Sequence, residues 1–407
     1  MTKIKNKVNL KLIAFVALNI LLSIPMQSQQ ITENRFGKGI INVIAKDSSY
    51  SMVFAARFQS LYTSQWEFPN NEEFESGDSN FLIRRARLKF DGFAYSPKLV
   101  YKLELGLSNR DISGTSIYTG NTPRFILDAV LKWNFFQNFE LWAGQAKLPG
   151  NRERLISSGN METVDRSLVN SRFNIDRDMG LQLHHYINFG NNFLIREAFA
   201  FSQGEGRNVT TGNLGGYQYT GRIEALPFGD FSDYSGADLA REDAPKLAVG
   251  FSYDHNEDAV RTRSNSGTYM INDTGLFHTD INTMFLDAMF KYQGWSVMAE
   301  YANRNAENPV AVNSDGIPTG DVVNVGDGIN FQTGYVFKNN FQVTGRYTNI
   351  SLDEEITGAG VETQYTLGLS KYLVGHKLKV QTDISLNDYE ENIDNSLMYR
   401  LQIDFHF

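Results

Sequence analysis

The chain of 407 residues contains no cysteine. Disulfides, thiolate metal sites and a cysteine nucleophile are therefore excluded, and so is the lipoprotein route, which needs an acylated cysteine behind the leader. Histidine is scarce. His184, His185, His255, His278, His376 and His406 complete the set of six, and none sits in a nucleophile elbow or an HExxH stretch. His184 and His185 are neighbours, so on a strand they point to opposite faces and cannot form a two-histidine ligand pair. No metal and no cofactor is expected. Long apolar runs are also missing: beyond the first 30 residues nothing approaches the roughly 20 residues of a transmembrane helix. Any crossing of a membrane must then be made by strands.

What is present at the N-terminus is a leader. Residues 1–29 place Lys3, Lys5, Lys7 and Lys11 around and before an apolar run from Leu12 to Leu22, with a small, polar exit at Gln27 to Gln30. That order is the one of a cleaved secretory signal, and the run is short for a span. Removing it takes away four lysines and no acid, so the formal charge moves from −8 to −12. An acidic mature chain argues against nucleic acid as a partner and makes its basic residues matter by position.

Residues 30–407 read as one domain of alternating segments. In "FLIRRARLKFDGFAYSPKLVYKLELGLS", residues 81–108, Leu82, Ala86, Leu88 and Phe90 fall on one face and Arg85, Arg87, Lys89 and Asp91 on the other. Segments of about ten residues with this period recur to the last residue, about 16 in all. The gaps alternate between short ("AYSP", "FQN", "FGNN", "QG", "KNN", "LVG") and long (62–80, 108–124, 148–177, 203–216, 254–280, 302–328, 350–361, 387–396). Short periplasmic turns and long external loops would produce this rhythm, and the expected fold is an all-β, antiparallel transmembrane barrel. Residues 226–245 break the rhythm, being long where a turn is due, through either an insertion or an unrecognised hairpin. On this reading Arg84, His185 and Glu197 take outward parity, Arg84 snorkelling to headgroups and the other two marking a bulge or a slip of register. A soluble sandwich would have to bury many aromatic faces against each other.

Several stretches carry a family resemblance. "FGKGIINVIAKDSSYSMVFAARFQS", "FLIRRARLKFDGFAYSPKLVYKLEL", "ELWAGQAKLPGNRERLISSGNMETVDRSLV" and "RFNIDRDMGLQL" resemble the phosphate-selective porin O and P family in its Bacteroidetes form. The most specific piece is the GQ-x-K-x-P core, Gly144 to Pro149, followed by Arg166 and Ser167 and by the R-D-x-G of Arg177 to Gly180. The ending "SLMYRLQIDFHF" resembles the signal read by the outer-membrane assembly machinery. The resemblance implies a trimeric pore in the outer membrane of a Gram-negative cell, its third external loop folded inward, passing small solutes such as phosphate.

Inside a barrel of that size charges stay solvated, and low-dielectric walls focus their field. The anion-binding candidates on inward parity are Arg57, Arg85, Arg87, Lys89, Lys102, Arg196, Arg222 and Arg346, with Lys132 on the same parity. The candidates in the constriction loop are Lys147, Arg152, Arg154, Arg166, Arg172 and Arg177, balanced there by Glu153, Glu162, Asp165, Asp176 and Asp178. The competing interpretation is that these bases pair with inward acids such as Asp91, Glu104, Asp128, Glu224 and Glu300 and merely brace the wall. "GEGRNVTTGNLGG" has no helix behind it and reads as a loop; "DEE" at 353–355 is a solvated tip or a cation contact with lipopolysaccharide. Outer-membrane lipid, lipopolysaccharide and small anionic solutes are the expected partners, in a homotrimer. A non-conducting structural or adhesion barrel is the alternative, and an outer-membrane hydrolase a more distant one.

Overall fold

The structure is a computed structural model describing residues 30–31, 36–68, 75–112, 117–118, 124–190, 192–390 and 394–407. The expected leader, residues 1–29, lies outside the described residues. Sixteen strands form one antiparallel sheet: β1 (Ser51–Phe68), β2 (Glu75–Ala94), β3 (Ser96–Gly106), β4 (Ile126–Phe136), β5 (Phe139–Lys147), β6 (Arg177–Asn188), β7 (Leu194–Ser202) and β8 (Gln218–Leu226). The second half is β9 (Lys246–Ala259), β10 (Thr279–Tyr292), β11 (Trp295–Ala306), β12 (Gly326–Val336), β13 (Phe341–Leu352), β14 (Val361–Val374), β15 (Leu378–Tyr389) and β16 (Asn395–His406). Each strand pairs with the next, and β16 returns to β1 with Leu401 opposite Tyr62 and Phe405 opposite Phe58. Closure leaves the barrel without edges, which the absence of water in hydrocarbon requires. A short strand, Ile41–Ile44, extends the sheet beside Ser51–Phe54 at the periplasmic end.

Outward positions carry the apolar alternation: Leu131, Phe199, Leu286, Phe331, Leu367 and Ile403 are all exposed. A base at the middle of such a face would cost about 2–4 kcal/mol. Rings collect near both rims, with Trp133 beside Phe135 and Trp295 beside Tyr335 at the periplasmic end, and Tyr62 on Phe81 and Tyr347 near Tyr365 at the other. Strands run further outward than alternation alone places them. Residues 62–68 and 75–80, expected in the first external loop, lie in strands β1 and β2, because polar Ser64 and Gln65 still pair with strand β16 and Ser64 with β2.

Two local expectations are corrected. Pairing of β1 with β2 shifts between Gln59 and Ser60, so Gln59 faces Arg85 and Ser60 faces Ile83. The extra residue is a bulge that turns Arg84 into the lumen beside Arg85 and puts Phe81 and Ile83, not Leu82, outside. His185 and Glu197, by contrast, need no slip: they are cross-strand partners, 2.9 Å apart, with the imidazole stacked on Phe139. The long periplasmic connection is an insertion, since residues 227–245 contain no strand.

Candidate functional site

The third external loop, residues 148–176, determines what space the lumen keeps. Its entry is built by the GQ-x-K-x-P core. Gly144 has φ +126°, and a Cβ there would meet the Ala129 carbonyl at 2.2 Å, so the position accepts only glycine. Lys147 then donates to the carbonyls of Arg154, Leu155 and Ile156 at 2.6, 3.0 and 3.3 Å, holding the end of helix α1 (Arg152–Leu155). Arg166 donates to the carbonyls of Glu153 and Ile156 at 2.9 and 2.8 Å. These carbonyls are the orphans of a short helix, and two cations complete them. Ser167 caps helix α2 (Leu168–Phe173) and is itself gripped by Glu153. Burial, with the positive charge of Arg154 close by, pulls Arg166 down to about 9.

From there the loop crosses to the far wall. Asn151 donates to Glu300 at 2.9 Å, and the Val164 amide to Asp383 at 3.0 Å. Arg152, fully buried, meets Asp287 at 2.6 Å, Glu224 at 2.7 Å and Asp233 at 2.8 Å. Glu162 accepts from Gln332 and Gln342 at 2.6 and 2.5 Å, and from Ser296; burial pushes its carboxyl up, and those hydrogen bonds only partly offset it. Val169, Phe173 and Ile175 pack on Phe285, Ala302 and Ile350, which project inward from β10, β11 and β13. Ile156 and Met161 pack on Met289 and Met298 of the same wall.

The inward bases of the strands are mostly paired. Arg57 forms a double contact with Asp404 at 3.0 Å and donates to Ser158 of the loop at 3.0 Å. Arg84 and Arg85 share Asp165 at 2.8 and 3.3 Å. Burial works against the charge of Asp165, but Arg84, Arg85 and Arg400 outweigh it and hold the carboxyl well below its usual range. Arg87 holds Asp111 at 2.6 Å and Glu104 at 3.0 Å, Lys89 holds Asp91 at 2.7 Å, and Lys102 holds Asp128 at 2.5 Å and Glu104 at 3.0 Å. Arg222 sits on Asp287 and Glu224, and Arg196 on Glu224 and Asp233. In the loop Arg154 meets Asp176, Arg172 meets Glu362 at 2.7 Å, and Arg177 meets Asp128 at 2.6 Å. Arg346 donates to Thr163, to the Asp165 carbonyl and to Gln364, with the Glu153 carboxylate at 3.9 Å. Lys132 lies over the Trp142 ring, 3.4 Å from its centre.

Along β2 to β8 the lumen keeps a cavity of about 790 Å³, the passage. Thirteen lysines and arginines line it against seven aspartates and glutamates, so its wall is basic within an acidic chain. Arg85, Arg87, Lys102, Arg196, Arg222, Lys147, Arg154, Arg166 and Arg177 belong to that lining. Arg57, Lys89, Arg152 and Arg346 lie off it, and Arg172 borders an outer cavity of about 530 Å³. Alternation misses the other basic members of the outer cavity, Arg124, Arg207, Arg261 and Arg263, because they stand on loops or loop hairpins. The one legible trace is the arginine pair in "VRTRSNSG", residues 260–267.

The barrel is similar in fold to porins of known structure. An anion-selective porin from Comamonas acidovorans superposes with a TM-score of 0.53 at 10% identity, over 88% of this chain and 100% of that one. OmpT of Vibrio cholerae gives 0.53 at 11% identity over 89% and 100%, and the outer membrane channel DcaP of Acinetobacter baumannii gives 0.51 at 12% over 89% and 99%. No curated protein sequence matches the chain. The family model described as phosphate-selective porin O and P matches residues 56–405, from the first barrel strand to the last. With a closed barrel of sixteen strands in hand and a match over nearly its whole length, the chain belongs to the phosphate-selective porin O and P family.

Proposed function

We propose that this outer-membrane porin passes small anions, phosphate among them, along the basic passage beside β2 to β8. The observation that carries the reading is the excess of bases over acids in that lining, opposite in sign to the chain as a whole. Four further carboxylates, Asp165, Asp230, Asp233 and Asp287, sit off the lining and pair with it, and they reduce the excess without removing it. Walls of low dielectric focus the remaining field into the water between them. Ion pairing does not cancel this: a guanidinium already held by a carboxylate keeps donors free in its fork and is held rigid for a passing anion. The outer cavity, with its six arginines and one aspartate, would collect anions ahead of the narrowing. A channel, not a catalyst, is the role these features support. Trimeric assembly, seen in a trimer form of OmpT of Vibrio cholerae, and contact with outer-membrane lipid and lipopolysaccharide belong to the same proposal.

The test is the reversal potential of the refolded protein in a planar bilayer across a potassium chloride gradient, followed by phosphate titration. Anion preference with phosphate block is the expected result. A cation preference would overturn it, and the absence of conductance would favour the structural barrel.

A further inference from the structure

Residues 227–245 are a periplasmic connection that does not stay in the periplasm. Pro227, Gly229, Gly236 and Pro245 keep the segment out of the sheet, and its middle is carried up inside the barrel: Asp233, Ala237 and Asp238 are all buried. A buried loop must find partners for its backbone, and this one does. The Gly236 amide donates to the carbonyl of Asn160 in the third external loop at 2.7 Å. Lys291, from the inner face of β10, donates to the carbonyls of Ser232 and Ala237 at 2.7 and 3.0 Å. Asp238 accepts from the Gly294 amide at 2.7 Å, tying the segment to the turn between β10 and β11. Phe231 and Tyr234 pack under Ile156 and Met161 of the loop, and Leu239 packs beside Ala237, Val336 and Tyr372.

The polar centre of this contact is shared. Asp233 accepts from Arg152 of the loop at 2.8 Å and from Arg196 of the passage wall at 3.2 Å. The Tyr234 ring stands 5.2 Å from the Arg152 guanidinium carbon and 5.1 Å from that of Arg196, and its hydroxyl donates to Glu224 at 2.8 Å. Arg196, Glu224 and Tyr234 all line the passage. Burial works against the charge of Asp233, and Arg196 with Arg152 more than offsets it, holding the carboxyl below its ordinary range.

We infer that residues 227–245 form the floor of the constriction, clamping the third external loop from below and narrowing the exit of the passage through Tyr234, with Asp233 held behind it. The inference rests on the proposed conduction along β2 to β8. It assigns the constriction two walls, one from each side of the membrane. Asp233 is its electrostatic trim, the carboxylate that moderates Arg152 and Arg196 where the passage ends.

Single-channel recording on the full chain tests it with three variants. Tyr234→Ala removes the ring from the exit, and the expected conductance rises by about a factor of two, the scale on which pore radius acts. Asp233→Asn removes the carboxylate charge at the exit, and the expected anion-to-cation permeability ratio rises. Replacing Phe228–Ala244 by a short Asn-Gly turn takes the floor away, and the expected trace shows larger, fluctuating conductance as the loop moves. Should that third variant fail to fold, the two point variants decide. Unchanged conductance and selectivity in both, with wild type conducting, would overturn the floor and leave an insertion that only braces the barrel. A wild type that does not conduct would instead overturn the proposed function.

Discussion

The inner wall of the barrel has two halves with different chemistry. From β2 to β6 most inward positions are charged or hydrogen-bonding, and several keep contact with water: Lys89, Asp91, Lys102, Lys132, Glu140 and Trp142 are half-buried. From β10 to β13 the inward positions include Phe285, Met289, Met298 and Ile350, each 4% exposed or less. A solvated lumen has no use for apolar side chains. Their presence on inward parity means that something other than water covers them, and the third external loop supplies Val169, Phe173, Ile156 and Met161 for the purpose. The hydrophobic effect thus selects the side on which the loop lies, and the basic passage is the space left on the other.

Releasing the loop from its wall has the largest expected effect. Arg152 is fully buried and joins Asp287, Glu224 and Asp233. Arg152→Ala strands three carboxylates among which only Arg222 and Arg196 remain as counter-charges. Removing one partner of a buried pair costs about 3–5 kcal/mol, and those two arginines put the expected loss near the low end. The unfolding temperature should fall and the passage widen as the loop loosens, read by heat-modified migration and by channel conductance. An unchanged conductance would mean that the apolar seat alone fixes the loop. Phe173→Ala, which opens a void under the loop, is the companion variant, expected to cost about 3 kcal/mol.

A milder variant acts on the open half. Replacing Arg85 and Arg87 by glutamate changes two lining charges from positive to negative, and the reversal potential in a salt gradient should move toward cation preference. The pair is not a silent substitution for folding, because Arg85 and Arg84 share Asp165 and Arg87 holds Asp111. Lys132→Gln is the cleaner probe: the cation lies over Trp142, so its loss breaks no ion pair within 4 Å among the described residues. A weaker phosphate block with unaltered stability is the expected outcome, and a block as strong as in the wild type would remove Lys132 from the anion path.

Strand identity, loop rhythm and the inward arginines were legible because a period of two repeated over sixteen segments carries its own redundancy. Single-residue events were not. The bulge at Arg84 inserts one residue into one strand, and alternation on either side of it reads normally, so alternation alone puts the side chain on the outer face. The two-sidedness of the lumen was written in the sequence but in a form that outward reading passes over. "MFLDAMFKY" gives Met284, Leu286, Ala288 and Phe290 outside, yet Phe285 and Met289 on the inside are the informative residues. Pairing along one strand was within reach, as Lys89 with Asp91, Lys102 with Glu104 and Arg222 with Glu224 show, but the long-range partners were not, since those of Arg57 and Arg152 come from 347 and 135 residues away.

Acid provides the gentlest test of the two halves, because it acts on the loop's anchors without changing a residue. Asp165 and Asp176 are both held well below the usual carboxylate range: burial opposes their charge, and Arg84 with Arg85 in one case and Arg154 with Arg177 in the other outweigh it. A carboxylate whose pKa is lower in the folded chain than in the unfolded one contributes stability above the unfolded value, about 3.9, and loses it as the pH falls toward the folded value. Glu162, pushed the other way by burial, acts with the opposite sign, and its contribution weakens as the pH rises through its raised pKa. Conductance should therefore be steady on descending from neutral pH to about 4, with release of the loop only below that. Recording at successive pH values checks this. A loosening that begins between about pH 5 and 7 would show that the loop is held by groups other than these two aspartates.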